Sequence, residues 1–280
     1  MSIDVSAGDI AVFQDAVYSH YKENGRVFPW RNDTRPWGVL VSEFMLQQTQ
    51  TARVVRYWAA WMEKWPSLAH FDKASMEEAL RAWHGLGYNR RCYHLKDCVR
   101  EIITKHGGRI PDKPEELEQL PGIGPYTARA VPCFAYNVPA VFIETNIRAA
   151  LLHFFFRDKT GVKDKELIPI LKTCLDRTNP RGWYYALMDY GAALKKLTGN
   201  PNRRSAHYTR QSPFKGSFRQ LRGAVLKTLA LDGQTAAADL LERGCLGSRE
   251  DLYRVLETLK KEHLVAERGG IYRIREELTI

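Results

Sequence analysis

The run Leu120-Pro121-Gly122-Ile123-Gly124 constrains this chain most, because it joins two stretches of helical apolar spacing, residues 115–118 before it and 127–131 after it. Two glycines one residue apart suit a tight hairpin between helices. Its exposed backbone amides, at a helix N-terminus, can approach a phosphate with no side chain in the way. Leu-Pro-Gly also makes ordinary turns, so spacing alone leaves an anion-binding hairpin and a plain connection both open.

The surroundings are helical as well. From residue 10 to about residue 194 the apolar residues recur at helical rather than alternating spacing, punctuated by short turns such as Gly107-Gly108 and Asn179-Pro180. The pattern predicts an all-α region with helices over 9–21, 37–50 continuing into 51–65, 75–83, 90–106, 114–120, 126–136, 144–155, 164–177 and 182–197. Asp9 is the expected first cap, the glycine pair at 107–108 a stop, and Pro132 a kink. No repeat period emerges.

Charge narrows the partners. The 280 residues, enough for about two domains, carry 42 lysines and arginines against 32 acidic residues, a net charge of +10. Such a balance favours a polyanion, nucleic acid first and an acidic membrane surface second. Between Gly191 and Leu229 there is no aspartate or glutamate, while Arg203, Arg204, Arg210, Lys215 and their neighbours are basic. Residues 201–216 therefore read as a basic linker lying along a phosphate backbone, or as a solvated loop. The apolar run at 149–156 is far shorter than the ~20 residues a bilayer crossing needs. Residues 1–21 hold three aspartates and no lysine or arginine, the reverse of a secretory leader, so the expected place is the cytoplasm, on the nucleoid if the cell is bacterial. Five scattered cysteines, at 92, 98, 133, 174 and 245, form neither a zinc pattern nor a disulfide framework.

Beyond the basic stretch, residues 217–231, 235–243 and 248–262 read as three helices and 264–267 with 271–274 as a hairpin, a winged-helix pattern. Ser248 would cap its recognition helix, with Tyr253, Arg254 and Lys260 toward a major groove; many winged helices instead bind only protein, and Glu250, Asp251 and Glu257 dilute the basic face.

Residues 120–130 (LPGIGPYTARA) resemble the helix-hairpin-helix of the endonuclease III-like superfamily of DNA glycosylases, and residues 42–50 (SEFMLQQTQ) resemble its adenine-excising, MutY-type branch. Phe28-Pro29-Trp30-Arg31, Gly85-Leu86-Gly87-Tyr88 with Arg90-Arg91, and Leu187-Met188-Asp189-Tyr190-Gly191 also match, so the likeness runs over about residues 27–193. It implies two helical lobes with a DNA cleft: a glycosylase domain over 1–200 with its hairpin motif at 115–136, a basic linker at 201–216, and a winged-helix-like domain over 217–280.

The superfamily's chemistry requires an acid to protonate the departing base and an anion to steady an oxocarbenium-like sugar and its water. By resemblance the acid is Glu43, set among Val41, Phe44, Met45 and Leu46. The anion falls on Glu144, where the family usually has aspartate, with Asn146 two residues on. The extra methylene implies a backbone that has moved back, a different substrate, or impaired catalysis, since a shift of roughly 1 Å can cost about 10²-fold. Tyr126 stands where strand-cutting relatives carry a Schiff-base lysine, which implies no lyase step. A flipped base leaves a hole. Gln48 is the implied wedge, beside Gln47 and Tyr88, with Arg90, Arg91, Arg203, Arg204 and the hairpin glycines Gly122 and Gly124 toward phosphates.

Two departures matter. Residues 191–223 hold no cysteine, where relatives bind an iron–sulfur cluster, and residues 218–280 differ from the usual domain that recognises 8-oxoguanine. The expectation is a cluster-free monomeric DNA glycosylase of base excision repair that acts on duplex DNA with a mismatch or lesion. Its only implied cofactor is a monovalent cation at the hairpin, residues 122–126. Adenine opposite guanine or 8-oxoguanine leads, followed by thymine or uracil opposite guanine, then a modified base. The rival of another class is a non-catalytic DNA-binding or regulatory protein on the same frame.

Overall fold

Local capping sets several helix starts in this computed structural model, which describes residues 5–209, 216–242 and 248–275. Arg210, Lys215, Arg243 and Cys245, singled out above, lie outside the described residues. The first helix, α1 (Ala7–Asn24), is capped by Ser6 rather than Asp9. Asp9 is its third residue and closes a capping box with Ser6. Short α2 (Pro29–Asn32) precedes α3 (Pro36–Leu46) and α4 (Thr51–Lys64). The helix expected to run unbroken through 37–65 is thus interrupted at residues 47–50, where Gln48 takes the left-handed φ of 54°.

Next come α5 (Leu68–Asp72), α6 (Met76–Trp83) behind a Ser75/Glu78 capping box, and α7 (Arg90–His106), which ends at left-handed Gly107. The hairpin motif consists of α8 (Pro114–Leu117) and α9 (Pro125–Tyr136), the latter running through Pro132. Then follow α10 (Thr145–Phe155), α11 (Asp164–Cys174) and α12 (Pro180–Leu197). The last region holds α13 (Phe218–Asp232), β1 (Gln234–Ala236), α14 (Ala237–Glu242), α15 (Arg249–Lys261), β2 (Val265–Arg268) and β3 (Ile271–Ile274). Its antiparallel sheet has the order β1-β3-β2, with Thr235 opposite Tyr272 and Ala266 opposite Arg273. That is a winged helix with a third strand, where a helix was expected from residue 235. No described helix is long and apolar enough to cross a membrane.

The chain divides into two compact units, within residues 1–39, 111–118 and 123–210 and within residues 40–110, 119–122 and 211–280. Both units draw on residues 1–200, where a two-lobed glycosylase domain was expected ahead of a linker at 201–216 and a winged-helix-like domain over 217–280. In the first unit α10 and α1 pack on α12, and Phe13 meets Phe154, Phe155 and Trp183 edge-on or tilted. Two sequence motifs meet there. Asp189 is fully buried, takes both guanidinium ends of Arg31 at 2.8 and 2.9 Å, and accepts from the Arg26 amide and side chain at 2.7 Å. Arg31 also stacks over Phe28 and Tyr185, so the Phe28–Arg31 match is a structural brace. Against the upward push of burial, these hydrogen bonds hold the Asp189 carboxyl below the usual aspartate range.

In the second unit Trp61, Trp65, Phe71 and Trp83 form one aromatic cluster. The winged helix belongs to this unit because α13 packs on α6 and the Tyr93 hydroxyl donates to the Leu264 carbonyl at 2.7 Å. A buried phenol in α7 finds its partner about 170 residues away in sequence, which no local pattern announces.

Candidate active site

Glu144 lies in the first unit as the N-cap of α10, in extended backbone (φ −123°, ψ −178°). Its Oε1 accepts from the Asn146 and Ile147 amides at 2.7 and 2.8 Å, and its Oε2 from Asn146 Nδ2 at 3.1 Å. A glutamate reaches one methylene farther than the usual short caps, and here it folds back onto the first turn. Lys195 on α12 donates to Asn146 Oδ1 at 2.8 Å and completes a chain of carboxylate, amide and ammonium. Burial pushes Glu144 above the ordinary glutamate range, while the two amides, Lys195 and Arg148 pull it down. The α10/α12 crossing leaves room only for glycine at 191, since a Cβ there would lie 2.0 Å from the Asn146 carbonyl oxygen.

This arrangement fixes the sign of a pH effect. If reaction needs Glu144 ionised, the rate falls as pH drops through its pKa. Removing the facing cation with Lys195→Met raises that pKa, so the acid limb of a single-turnover pH–rate profile moves to higher pH. Lys195→Arg leaves it near its original place. An unmoved limb in Lys195→Met would show that Glu144 does not set it.

Tyr126 is half-buried in the same unit, its ring edge-on to Phe142 at 5.5 Å. Phe142 in turn stacks on Tyr184. The tyrosine therefore abuts the segment that leads into Glu144 through an aromatic contact.

The second unit holds Glu43, Gln47, Gln48, Tyr88, Arg90, Arg91 and Gly122. Glu43 is 6% exposed on α3, between fully buried Val41 and Phe44. A surface-facing glutamate is therefore excluded. One turn later the chain leaves the helix, and Gln47 is half-buried while Gln48 is exposed. Tyr88 is 38% exposed and left-handed at φ 48°, on the loop that enters α7. Arg90 is exposed at the start of α7.

Arg91 departs from its expected place at the phosphates. It is 8% exposed, and its guanidinium donates to the carbonyls of Phe44, Met45 and Gln47 at 2.6–2.9 Å and to that of Gly87 at 3.1 Å. It reaches the Thr49 hydroxyl and the Leu86 carbonyl as well, and burial pushes its pKa down to about 10. One buried cation therefore ties the end of α3 and the loop of Gln48 to the loop of Tyr88. Both wedge candidates have uncommon left-handed backbones, and the clamp supports both. Nothing in the sequence distinguishes Arg91 from Arg90. Only its helical phase, one position further round, turns it inward.

The hairpin is seated by the absence of a side chain. Gly122 has φ 75°, and a Cβ there would meet the His94 Cβ at 2.5 Å and a Phe44 ring carbon at 2.9 Å. Gly124, by contrast, has open space. Tyr88 also accepts from Arg219 of α13 at 3.1 Å, so the winged helix touches the Tyr88 loop, a contact the sequence does not announce. Tyr253 and Arg254 are exposed on α15, whereas Lys260 meets Glu257 and Glu267.

After α12 the residues do not fit an iron–sulfur cluster: there is no thiol donor between 191 and 223, and Cys92, Cys98, Cys133 and Cys174 are buried elsewhere. Instead Pro201–Arg204 form a 3-10 turn, Asn202 donates to the Thr145 carbonyl at 3.0 Å, and Val162 bridges Ser205. The start of the expected linker is thus packed onto the first unit. Arg203 is exposed and Arg204 half-buried.

Residues 41–173 match the HhH-GPD superfamily base excision DNA repair protein family. An adenine DNA glycosylase of Mycobacterium tuberculosis is 33% identical over 271 residues, covering 88% of this chain and 87% of that protein. The Homo sapiens adenine DNA glycosylase is 33% identical over 198 residues, 66% of this chain and 36% of that one. Among solved structures, a thermostable thymine-DNA glycosylase superposes with a TM-score of 0.60 at 24% identity, over 68% of this chain and 88% of that one. An endonuclease III trapped on DNA as a covalent intermediate gives 0.57 at 19% identity, over 75% and 92%. The buried glutamate before a broken helix, the glycine hairpin and this similarity along most of the sequence agree, and the chain belongs to the HhH-GPD superfamily of base excision DNA repair proteins.

Proposed function

We propose that the protein is a monofunctional DNA glycosylase that flips adenine out of a mismatched duplex, opposite guanine or 8-oxoguanine, and hydrolyses its N-glycosidic bond. The observation that carries this reading is Glu43, an acid sequestered in the apolar end of α3 one turn before Gln47 and Gln48. The similarity to adenine glycosylases supports the base. Glu43 gives its proton to the departing adenine as the bond between base and sugar breaks. The cationic sugar is steadied by the Glu144 carboxylate, which Asn146 and Lys195 hold in place. Water adds its oxygen to the sugar and releases a proton, leaving an abasic site.

Tyr126 has no amine to form a Schiff base, so the strand remains intact. Gln48 and Tyr88 fill the gap in the stack, steadied by the Arg91 clamp. The enzyme acts as a monomer without an iron–sulfur cluster, since the thiols are lacking, and its hairpin takes a monovalent cation. Its substrate fits a place in the cytoplasm, on the nucleoid if the cell is bacterial.

The test is single-turnover reaction with excess protein on labelled duplexes carrying adenine, thymine or uracil opposite guanine or 8-oxoguanine, each read with and without alkali. Release of adenine that appears as a strand break only after alkali is expected. Strand breaks without alkali would refute the monofunctional reading. Release of thymine or uracil alone would replace the base. Tight binding with no base released from any duplex would leave a DNA-binding protein on a glycosylase frame.

A further inference from the structure

The turn that leads into α7 holds three positive-φ residues within four positions, Gly85 at 100°, Gly87 at 75° and Tyr88 at 48°. No regular hydrogen-bond ladder runs through such a backbone, so its shape depends on what is packed against it. Its base is fixed from within the second unit. Trp83 Nε1 donates to the Gly87 carbonyl at 3.1 Å, Arg91 reaches the same carbonyl, and a Cβ at Gly85 would lie 2.0 Å from the Tyr57 hydroxyl. Its tip is the Tyr88 side chain. The Arg91 guanidinium carbon lies 5.5 Å from the centre of that ring, and the phenol oxygen accepts from Arg219 at 3.1 Å. The ring is thus addressed both at its face and at its hydroxyl.

Arg219 reaches the turn from a helix that is itself anchored. Ser217 caps α13, α13 packs on α6, and Arg222 ties it to the end of α15 by donating to both Glu262 oxygens at 2.7 Å. Arg219 is in the first turn of α13, where a cation opposes the positive end of the helix dipole and no acidic residue offsets it. The charge works against α13 and serves the phenol. A side chain that fills a hole in a base stack gives up its rotamer freedom on entering, and a ring already held at two points has less of it to lose. We propose that Arg219 is a positioning residue for base flipping: it holds the Tyr88 phenol in the orientation from which the ring enters the stack. The winged helix therefore acts on the duplex through this turn as well as through any surface of its own. The role given to Tyr88 rests on the function proposed above.

The experiment compares the full chain with Arg219→Ala, Tyr88→Phe and the double variant, and urea denaturation confirms that each is folded. Stopped-flow fluorescence of 2-aminopurine beside the target base reads the flipping step, and alkali-revealed strand breaks read base release. Loss of one such hydrogen bond should slow flipping about 3–10-fold in Arg219→Ala and in Tyr88→Phe alike. The double variant should be no slower than either single one, because both changes remove the same contact. Arg219→Lys keeps a cationic donor and should recover part of the rate, which a merely structural loss would not allow. Base release with unaltered flipping in Arg219→Ala would overturn the proposal and leave the excision reading standing. Losses that add in the double variant would overturn it too, as would faster flipping in Arg219→Ala, the mark of a latch that restrains the ring. A base flipped more slowly in Arg219→Ala but never released from any duplex would overturn the excision reading and leave Arg219 as the residue that positions Tyr88.

Discussion

Glu43→Gln is expected to lower single-turnover excision of adenine by about 10²–10⁴-fold, the usual worth of a positioned general acid. The replacement has nearly the same size and keeps the hydrogen-bonding capacity of the side chain, but it has no acidic proton to give. Solvent cannot readily stand in, because the residue is 6% exposed and its helix neighbours Val41, Phe44 and Met45 are fully buried. Binding to a non-cleavable mismatch duplex should stay within a few fold of the unaltered protein, which separates loss of chemistry from loss of fold. A rate within threefold of the unaltered enzyme would remove Glu43 from the mechanism.

The second large effect is expected at Arg91. Arg91→Met withdraws one guanidinium from the carbonyls of Phe44, Met45, Gln47, Leu86 and Gly87 at once. A buried acceptor left unmet costs about 1–3 kcal/mol, so even with relaxation the loss of unfolding free energy should reach about 3 kcal/mol or more. Urea denaturation gives that number. A purely structural cation would change nothing else. The clamp predicts more, since Gln48 and Tyr88 both depend on it for their left-handed backbones. In protein folded at low temperature, 2-aminopurine beside the target base should report weakened flipping, in Arg91→Lys as well, because a single ammonium cannot reach both loops. Unaltered flipping in a folded Arg91→Lys would leave Arg91 as a stabilising residue alone.

The helices were legible where their causes are local. Ser75 with Glu78, Ser248 with Asp251 and the Gly107 stop are signals within four residues, and the structure places helix ends there. The hairpin was legible for the same reason, as were the winged-helix pattern and the inward Glu43. Harder to read were the elements whose cause lies far along the chain. The break after α3 is held by Arg91 from α7, some 44 residues on, and residues 234–236 form a strand only because β3 arrives some 36 residues later to pair with them. In isolation Thr235 continues a helical pattern as well as it starts a strand.

The amino-acid order alone, then, determined the superfamily and the helical character of both units, and it leaves residues 191–223 without a cysteine. The tertiary structure decided which charges act inside and which outside. Arg90 and Arg91 are identical as letters, yet one is exposed and the other is buried in carbonyls; Asp189 is an ordinary acid until Arg26 and Arg31 enclose it. It also decided that residues 201–206, the start of the expected linker, pack onto the first unit, and that the winged helix packs with α6 and α7. The physical reason is that burial and partner choice depend on which distant backbone atoms reach a side chain, and desolvation then sets the worth of its charge.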